Sequence, residues 1–194
     1  MYERCRFEQR FDAKACVFVG MPGSGKSLGT EGARKLGVPV LVMGDVVREE
    51  ASRRGVVHSP SALGKIMIDL RRKYGASVIA NACIDKFRKM DSSNVVIDGA
   101  RSEEEIARFR EVFKSVKVIA VHASPQTRYQ RLVQRKRADD SLTWEDFCER
   151  DLRELGIGIG RVIACADVML INEGEASKLR EQVHRLLKDE FGLS

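Results

Sequence analysis

The sequence predicts an α/β fold, a five-stranded parallel sheet flanked by helices, and three observations predict it. Five apolar, β-branched runs recur along the chain: ACVFVG (15–20), VPVLVM (38–43), NVVID (94–98), VKVIAVHA (116–123) and DVMLIN (167–172). They are nearly continuous in apolar character, as strands covered on both faces are. Helical stretches separate them, so the strands are joined by crossovers and lie parallel. The first run also passes straight into a glycine-rich loop that opens a helix.

The elements follow in order. After the first strand comes a helix over 27–36. Residues 44–93 are too long for one crossover and hold three helical pieces, 46–54, 61–73 (after Ser59-Pro60) and 76–89. The third strand leads to a helix over 103–113, and the fourth to one from Pro125 to about Arg137. Residues 138–166 form a second long interval. Its helix opens at Thr143, whose hydroxyl can cap it together with Asp146 three places on. GIGIG (156–160) is too glycine-rich for a helix and predicts a turn or hinge. A last helix spans 176–187. No repeat or low-complexity linker interrupts the chain, so residues 1–194 are expected to form one domain with two insertions.

Composition narrows the class. A chain of 194 residues with 43% hydrophobic and 32% charged residues has the profile of a soluble globular domain. No apolar run approaches the roughly 20 residues a membrane span needs. The start, MYERCRFEQRFDAK, lacks the apolar core of a signal peptide, so a cytoplasmic location is expected. Cys5, Cys16, Cys83, Cys148 and Cys165 are scattered and form no CxxC pair, which argues against a disulfide framework or structural zinc. Cys16 and Cys165 sit among apolar neighbours and are expected to act as small hydrophobes. His58, His122 and His184 are isolated, unlike metal ligands, which come in spaced clusters. The net charge of +6 suits a polyanionic partner, nucleotide or nucleic acid.

GMPGSGKS (20–27) fits G-x-x-x-x-G-K-[ST] in full, between a strand and a helix as that motif requires. Gly23 and Gly25 permit the backbone to turn successive N–H groups inward around phosphate oxygens. The helix beginning near Ser27 adds the positive end of its dipole. Lys26 can reach the β- and γ-phosphates, and the Ser27 hydroxyl can ligate Mg²⁺. The residues expected to hold the nucleotide are Gly20, Met21, Pro22 and Gly23, then Ser24, Gly25, Lys26, Ser27 and Leu28. Gly29 and Gly32 in the helix behind cost about 1 kcal/mol each relative to Ala and imply close packing against the sheet. Asp98 ends a buried strand on the side where ligands of such sheets bind, and is placed to hold Mg²⁺ through water.

More charge follows than a nucleotide switch needs. Asp45 and Arg48 lie three apart at a helix start. Arg101 follows Asp98 closely. Arg128, Arg131 and Arg135 share one helix face, with Arg137, Asp139 and Asp140 beyond, and CERDLRE supplies Arg150 and Arg153. Phosphoryl transfer is catalysed largely by positioning and by Mg²⁺, Lys and Arg charge, and arginines on a closing flap also expel water.

These motifs resemble those of adenylate-kinase-like P-loop nucleotide kinases. The family's phosphate loop is GMPGSGKS here, its G-D-x-x-R motif is Gly44–Arg48, and its D-G-x-x-R segment is Asp98–Arg101. Its lid-edge R-x-x-x-R is Arg131 and Arg135, and its R-x-D-D is Arg137–Asp140. DGAR is one residue shorter than the family's segment, and only one residue separates Arg135 from Arg137, leaving a short lid. The tail, ADVMLINEGEASKLREQV, is similar to the end of dephospho-CoA kinases. The whole pattern most resembles an archaeal nucleotide-kinase-like group.

The resemblance implies a P-loop NTPase core over about 15–43, 94–127 and 154–194. An acceptor-binding insertion spans about 44–93 and a lid about 128–153. It implies that Lys26, Arg131 and Arg137 face the ATP phosphates, that Asp45, Arg48 and Arg101 hold the acceptor, and that Arg150 or Arg153 bridges the transferred group. Ser27 and Asp98 serve the metal. The activity implied is ATP- and Mg²⁺-dependent transfer to a small phosphorylated acceptor, a nucleoside monophosphate above all, by a monomer. Two alternatives stand beside it: dephospho-CoA kinase-like activity, and an NTP-binding regulator or weak ATPase acting on RNA or a protein. Against RNA, aromatics are only 6% of the chain, too few for a stacking platform.

Overall fold

A computed structural model describes residues 10–135 and 143–193. Its five strands are β1 (Phe11–Val19), β2 (Val40–Val42), β3 (Asn94–Asp98), β4 (Phe113–His122) and β5 (Val168–Ile171). All pair in parallel, in the order β2-β3-β1-β4-β5. The strand that feeds the phosphate loop is therefore central and has a partner on each side.

The helices are α1 (Ser27–Lys35), α2 (Met43–Arg53), α3 (Pro60–Tyr74), α4 (Val78–Phe87) and α5 (Glu103–Val112). They continue with α6 (Pro125–Arg135), α7 (Trp144–Ile157), α8 (Ile159–Ala164) and α9 (Ala176–Phe191). Local chemistry sets several of their starts. Ser59 accepts a hydrogen bond from Ala62 N at 3.2 Å and Thr143 one from Asp146 N at 3.1 Å, each satisfying an amide with no partner in its own helix.

Period-2 alternation divides the core into two layers. Ala13, Ala15, Val17 and Val19 of β1 face α2, α3, α4, α5 and α8. Cys16 and Phe18 point the other way, to α1 and α9. Both α1 glycines sit at close approaches. A Cβ on Gly29 would lie 2.6 Å from the Phe18 ring, and one on Gly32 would lie 2.9 Å from Val183 of α9. The packing against the sheet expected of both glycines holds at Gly29, whereas Gly32 packs against another helix, α9.

The structure corrects two expectations. GIGIG does contain the expected turn, at Gly158 alone (φ +118°), but it is not too glycine-rich for helix: Gly156 and Ile157 close α7, and Ile159 and Gly160 open α8. One left-handed residue turns the chain, which glycine does without steric cost. Cys165 is exposed, whereas Cys16 is buried as expected. Among the described residues no helix is long and apolar enough to cross a membrane.

Candidate active site

The site lies at the carboxyl ends of β1, β2 and β3, in a cavity of about 280 Å³. Gly20, Pro22, Gly23, Gly25, Lys26 and Ser27 form one wall. Gly23 and Gly25 stand at φ +81° and +103°, a region L side chains rarely enter, which the loop needs to turn its amides inward. Lys26 Nζ donates to Gly20 O at 2.7 Å and Met21 O at 3.3 Å. Burial lowers the Lys26 pKa to about 8, against the opposing charge of Asp98.

Asp98 ends β3 and lines the cavity. Among the described residues its Oδ1 is buried with no hydrogen-bond partner. Burial raises its pKa, and the nearby Lys26 charge works against the rise. The Ser27 hydroxyl belongs to the same wall. A buried carboxylate oxygen with no partner, in a cavity that a serine also lines, offers the hard oxygen donors that a divalent cation accepts.

Arg48, Arg101, Arg131, Arg135 and Arg150 reach this cavity from four places: α2, the β3–α5 connection, α6 and α7. Arg48 donates from Nε and Nη2 to Asp45 Oδ1, at 3.1 and 2.5 Å. Asp45 itself is exposed and does not line the cavity, so it bears on the site through Arg48. Arg101 donates from Nε to Glu154 Oε2 at 2.5 Å, and its own amide donates to Glu105 Oε2 at 2.7 Å. Arg131 Nη2 meets Asn172 Oδ1 at 3.5 Å, while its Nη1 is buried with no partner among the described residues.

A smaller cavity of about 60 Å³ continues from the first, between α2, α3 and α7. Arg48, Arg101 and Arg150 line both, Arg153 only the smaller one, over Val47, Leu63 and Met67. Gly64 makes room there, since a Cβ at that position would lie 3.0 Å from Arg153 Nε.

Other expected residues sit differently. Arg137 lies outside the described residues, as do Asp139 and Asp140. Arg128 does not share the surface face of Arg131 and Arg135 but is buried, paired with Asp151. Met21, Ser24 and Leu28 do not line the cavity. Met21 offers its carbonyl to Lys26, and Ser24 is buried with its carbonyl taken by Asn172 Nδ2 at 2.8 Å.

Sequence reasoning missed Glu154 and Asn172, both 4% exposed. Glu154 closes CERDLRE, where the arginines carry the sequence signal. Asn172 closes the last apolar run, at the same carboxyl edge of the sheet as Asp98, and that position was the available signal.

A phosphate-gripping loop leaving the central strand of a five-stranded parallel sheet, with helices on both faces, defines a P-loop kinase fold. The chain belongs to the UPF0200 family: it is 48% identical, over 88% of its length and 91% of the relative's, to a UPF0200 protein of Hyperthermus butylicus. The archaeal resemblance expected from its motifs therefore holds. A family model described as an AAA domain matches residues 19–147. Among solved structures, shikimate kinase from Bacteroides thetaiotaomicron superposes with a TM-score of 0.58 at 15% identity, covering 92% of this chain and 98% of that one. A gluconokinase from Sinorhizobium meliloti gives 0.52 at 16%, covering 95% and 97%. At such identities the likeness is one of fold.

Proposed function

We propose that this protein is an ATP- and Mg²⁺-dependent phosphotransferase that moves the γ-phosphate of ATP to a small phosphorylated acceptor, a nucleoside monophosphate first among them. One observation carries this reading: guanidinium groups from four separate elements converge with Lys26 and Asp98 on one cavity that runs on into a second, partly apolar one. A molecule that only binds or hydrolyses a triphosphate has no use for the second space.

In this reading the loop amides hold the phosphates, and phosphate oxygens replace the carbonyls of Gly20 and Met21 as partners of Lys26 Nζ. Ser27 and Asp98 would hold Mg²⁺, which would supply positive charge to the phosphates when bound. Arg131, with a donor to spare, serves the transferred group, and Arg137 joins it. Arg48, Arg101 and Arg153 take the acceptor's anion over the apolar floor of Val47, Leu63 and Met67. Arg150, at the junction of both cavities, bridges donor and acceptor sides.

The test is ADP release by purified protein with Mg·ATP against all nucleoside monophosphates, dephospho-CoA, shikimate and gluconate. One acceptor should raise turnover well above the basal rate. A rate that no acceptor changes overturns the reading. Lys26→Ala should abolish turnover, whereas Arg48→Ala should raise the acceptor KM with ATP binding intact, as removal of a ground-state contact does.

A further inference from the structure

Arg128 sits where three elements meet. Its Nη1 and Nη2 donate to the two carboxylate oxygens of Asp151 on α7, at 2.9 and 2.6 Å. The same Nη1 donates to Pro22 O of the phosphate loop at 3.2 Å, and Nε to Ala123 O after β4, also at 3.2 Å. The guanidinium lies over the Phe147 ring, 4.9 Å from its centroid. The loop also rests on the backbone of this residue, since a Cβ on Gly23 would come within 2.6 Å of Arg128 O. The residue is 4% exposed and does not line the cavity, so it makes no direct approach to a ligand there.

A buried ion pair is weak evidence for stability, because the cost of desolvating both charges offsets much of their attraction. Two apolar side chains would pack α6 on α7 as well. They would leave Pro22 O without its donor, however, and would not fix the orientation of α7. The bidentate fork does both, because its planar geometry admits one arrangement. Asp151 is next to Arg150 and within one helical turn of Arg153 and Glu154, so pinning it sets the placement of all three on a rigid helix.

Building on the triphosphate reading above, we propose that Arg128 and Asp151 are positioning residues that hold α7, with Arg150, Arg153 and Glu154, in register with the phosphate loop. Filling of the loop by a triphosphate then sets where the acceptor-side groups stand. Neither residue touches substrate. Their effect passes through Pro22 on one side and α7 on the other.

Hydrogen exchange with a non-hydrolysable ATP analogue and Mg²⁺ tests this, with calorimetry measuring binding separately. In the unaltered protein, analogue should slow exchange several-fold both in the loop (20–28) and in α7 (144–157). Asp151→Asn, and the apolar pair Arg128→Met with Asp151→Leu, should still bind analogue and protect the loop but lose the α7 response. The apolar pair guards against unfolding caused by an uncompensated Arg128 charge. An α7 response that survives in both variants overturns the proposal, as does an unaltered protein that binds analogue without any α7 response. Loss of the fold in both variants by circular dichroism also overturns it, since the pair would then be a requirement of folding. If the unaltered protein binds no triphosphate by calorimetry, the functional reading falls first and this proposal with it.

Discussion

Arg101 and Glu154, 53 positions apart in the chain, meet at 2.5 Å, with the carboxylate side chain 6% and the guanidinium 22% exposed. The pair joins the β3–α5 connection to α7 and puts one negative charge among the arginines that line both cavities. Burial pushes the Glu154 carboxyl up, but the charge and hydrogen bond of Arg101 outweigh it, so the group is held below its ordinary 4.5. A depressed carboxyl stabilises the fold in full above its unfolded value, and that contribution is lost as pH falls through the folded one. Glu154→Gln should therefore cost on the order of 2 kcal/mol near neutrality. Thermal unfolding as a function of pH should show the gap between the two proteins narrowing as pH drops below 4.5.

Lys26 titrates in a useful range. With its pKa near 8, part of the population is neutral in mildly alkaline solution. Phosphate oxygens favour the ammonium form, so nucleotide binding should take up protons between about pH 8 and the ordinary lysine value of 10.5. Affinity should weaken as pH rises through this window, by up to ~10-fold per pH unit. Calorimetry in two buffers of different ionisation heat would reveal the uptake, and Lys26→Met should remove it.

Asn172 tests the frame of the loop. Its Nδ2 is the donor to Ser24 O, and its Oδ1 faces Arg131. Asn172→Asp keeps the shape but sets a carboxylate oxygen against a buried carbonyl, a mismatch worth about 1–3 kcal/mol. Triphosphate affinity should fall roughly 10-fold or more by the same figure, read from displacement of a fluorescent nucleotide. Unchanged affinity would show that the loop holds its shape without this side chain.

Two glycine substitutions should move stability in opposite directions. Gly29→Ala meets the Phe18 ring at 2.6 Å, and overpacking there should cost about 1–3 kcal/mol despite the better helix former. Gly156→Ala, near the end of α7 with nothing within 4 Å, should gain up to ~1 kcal/mol. Denaturant midpoints would measure both.

Much of the fold was readable because the strands are buried on both faces, so their apolar runs are unbroken and hard to mistake. The phosphate loop was readable because its glycines and lysine meet a backbone requirement, which leaves its mark in the sequence. Boundaries were less so. β4 begins at Phe113, three residues before the run at 116 on which the prediction rested, because Phe113 pairs with Phe11 beyond an irregularity in β1. GIGIG misled because glycine content predicts average behaviour, whereas only Gly158 takes the left-handed conformation.

The arginines divide the same way. Spacing along α6 put Arg128 with Arg131 and Arg135, yet the partner that buries it, Asp151, is 23 positions away. Glu154 was equally hidden, since only the fold brings Arg101 to it. Helical periodicity tells which residues share a face. It does not tell which charge finds a counter-charge, and that distinction decides whether an arginine serves a ligand or the framework.

The strand order has an evolutionary corollary. Because β1 is central, the elements that grip the triphosphate descend from the best-buttressed part of the molecule. The helices α2 and α3, which wall part of the neighbouring space, both lie in the chain between β2 and β3, on one flank. Substitutions in that flank can retune what is recognised there while leaving the nucleotide grip undisturbed. Chains of the same architecture are thereby free to diverge in that second space while keeping a common phosphate loop.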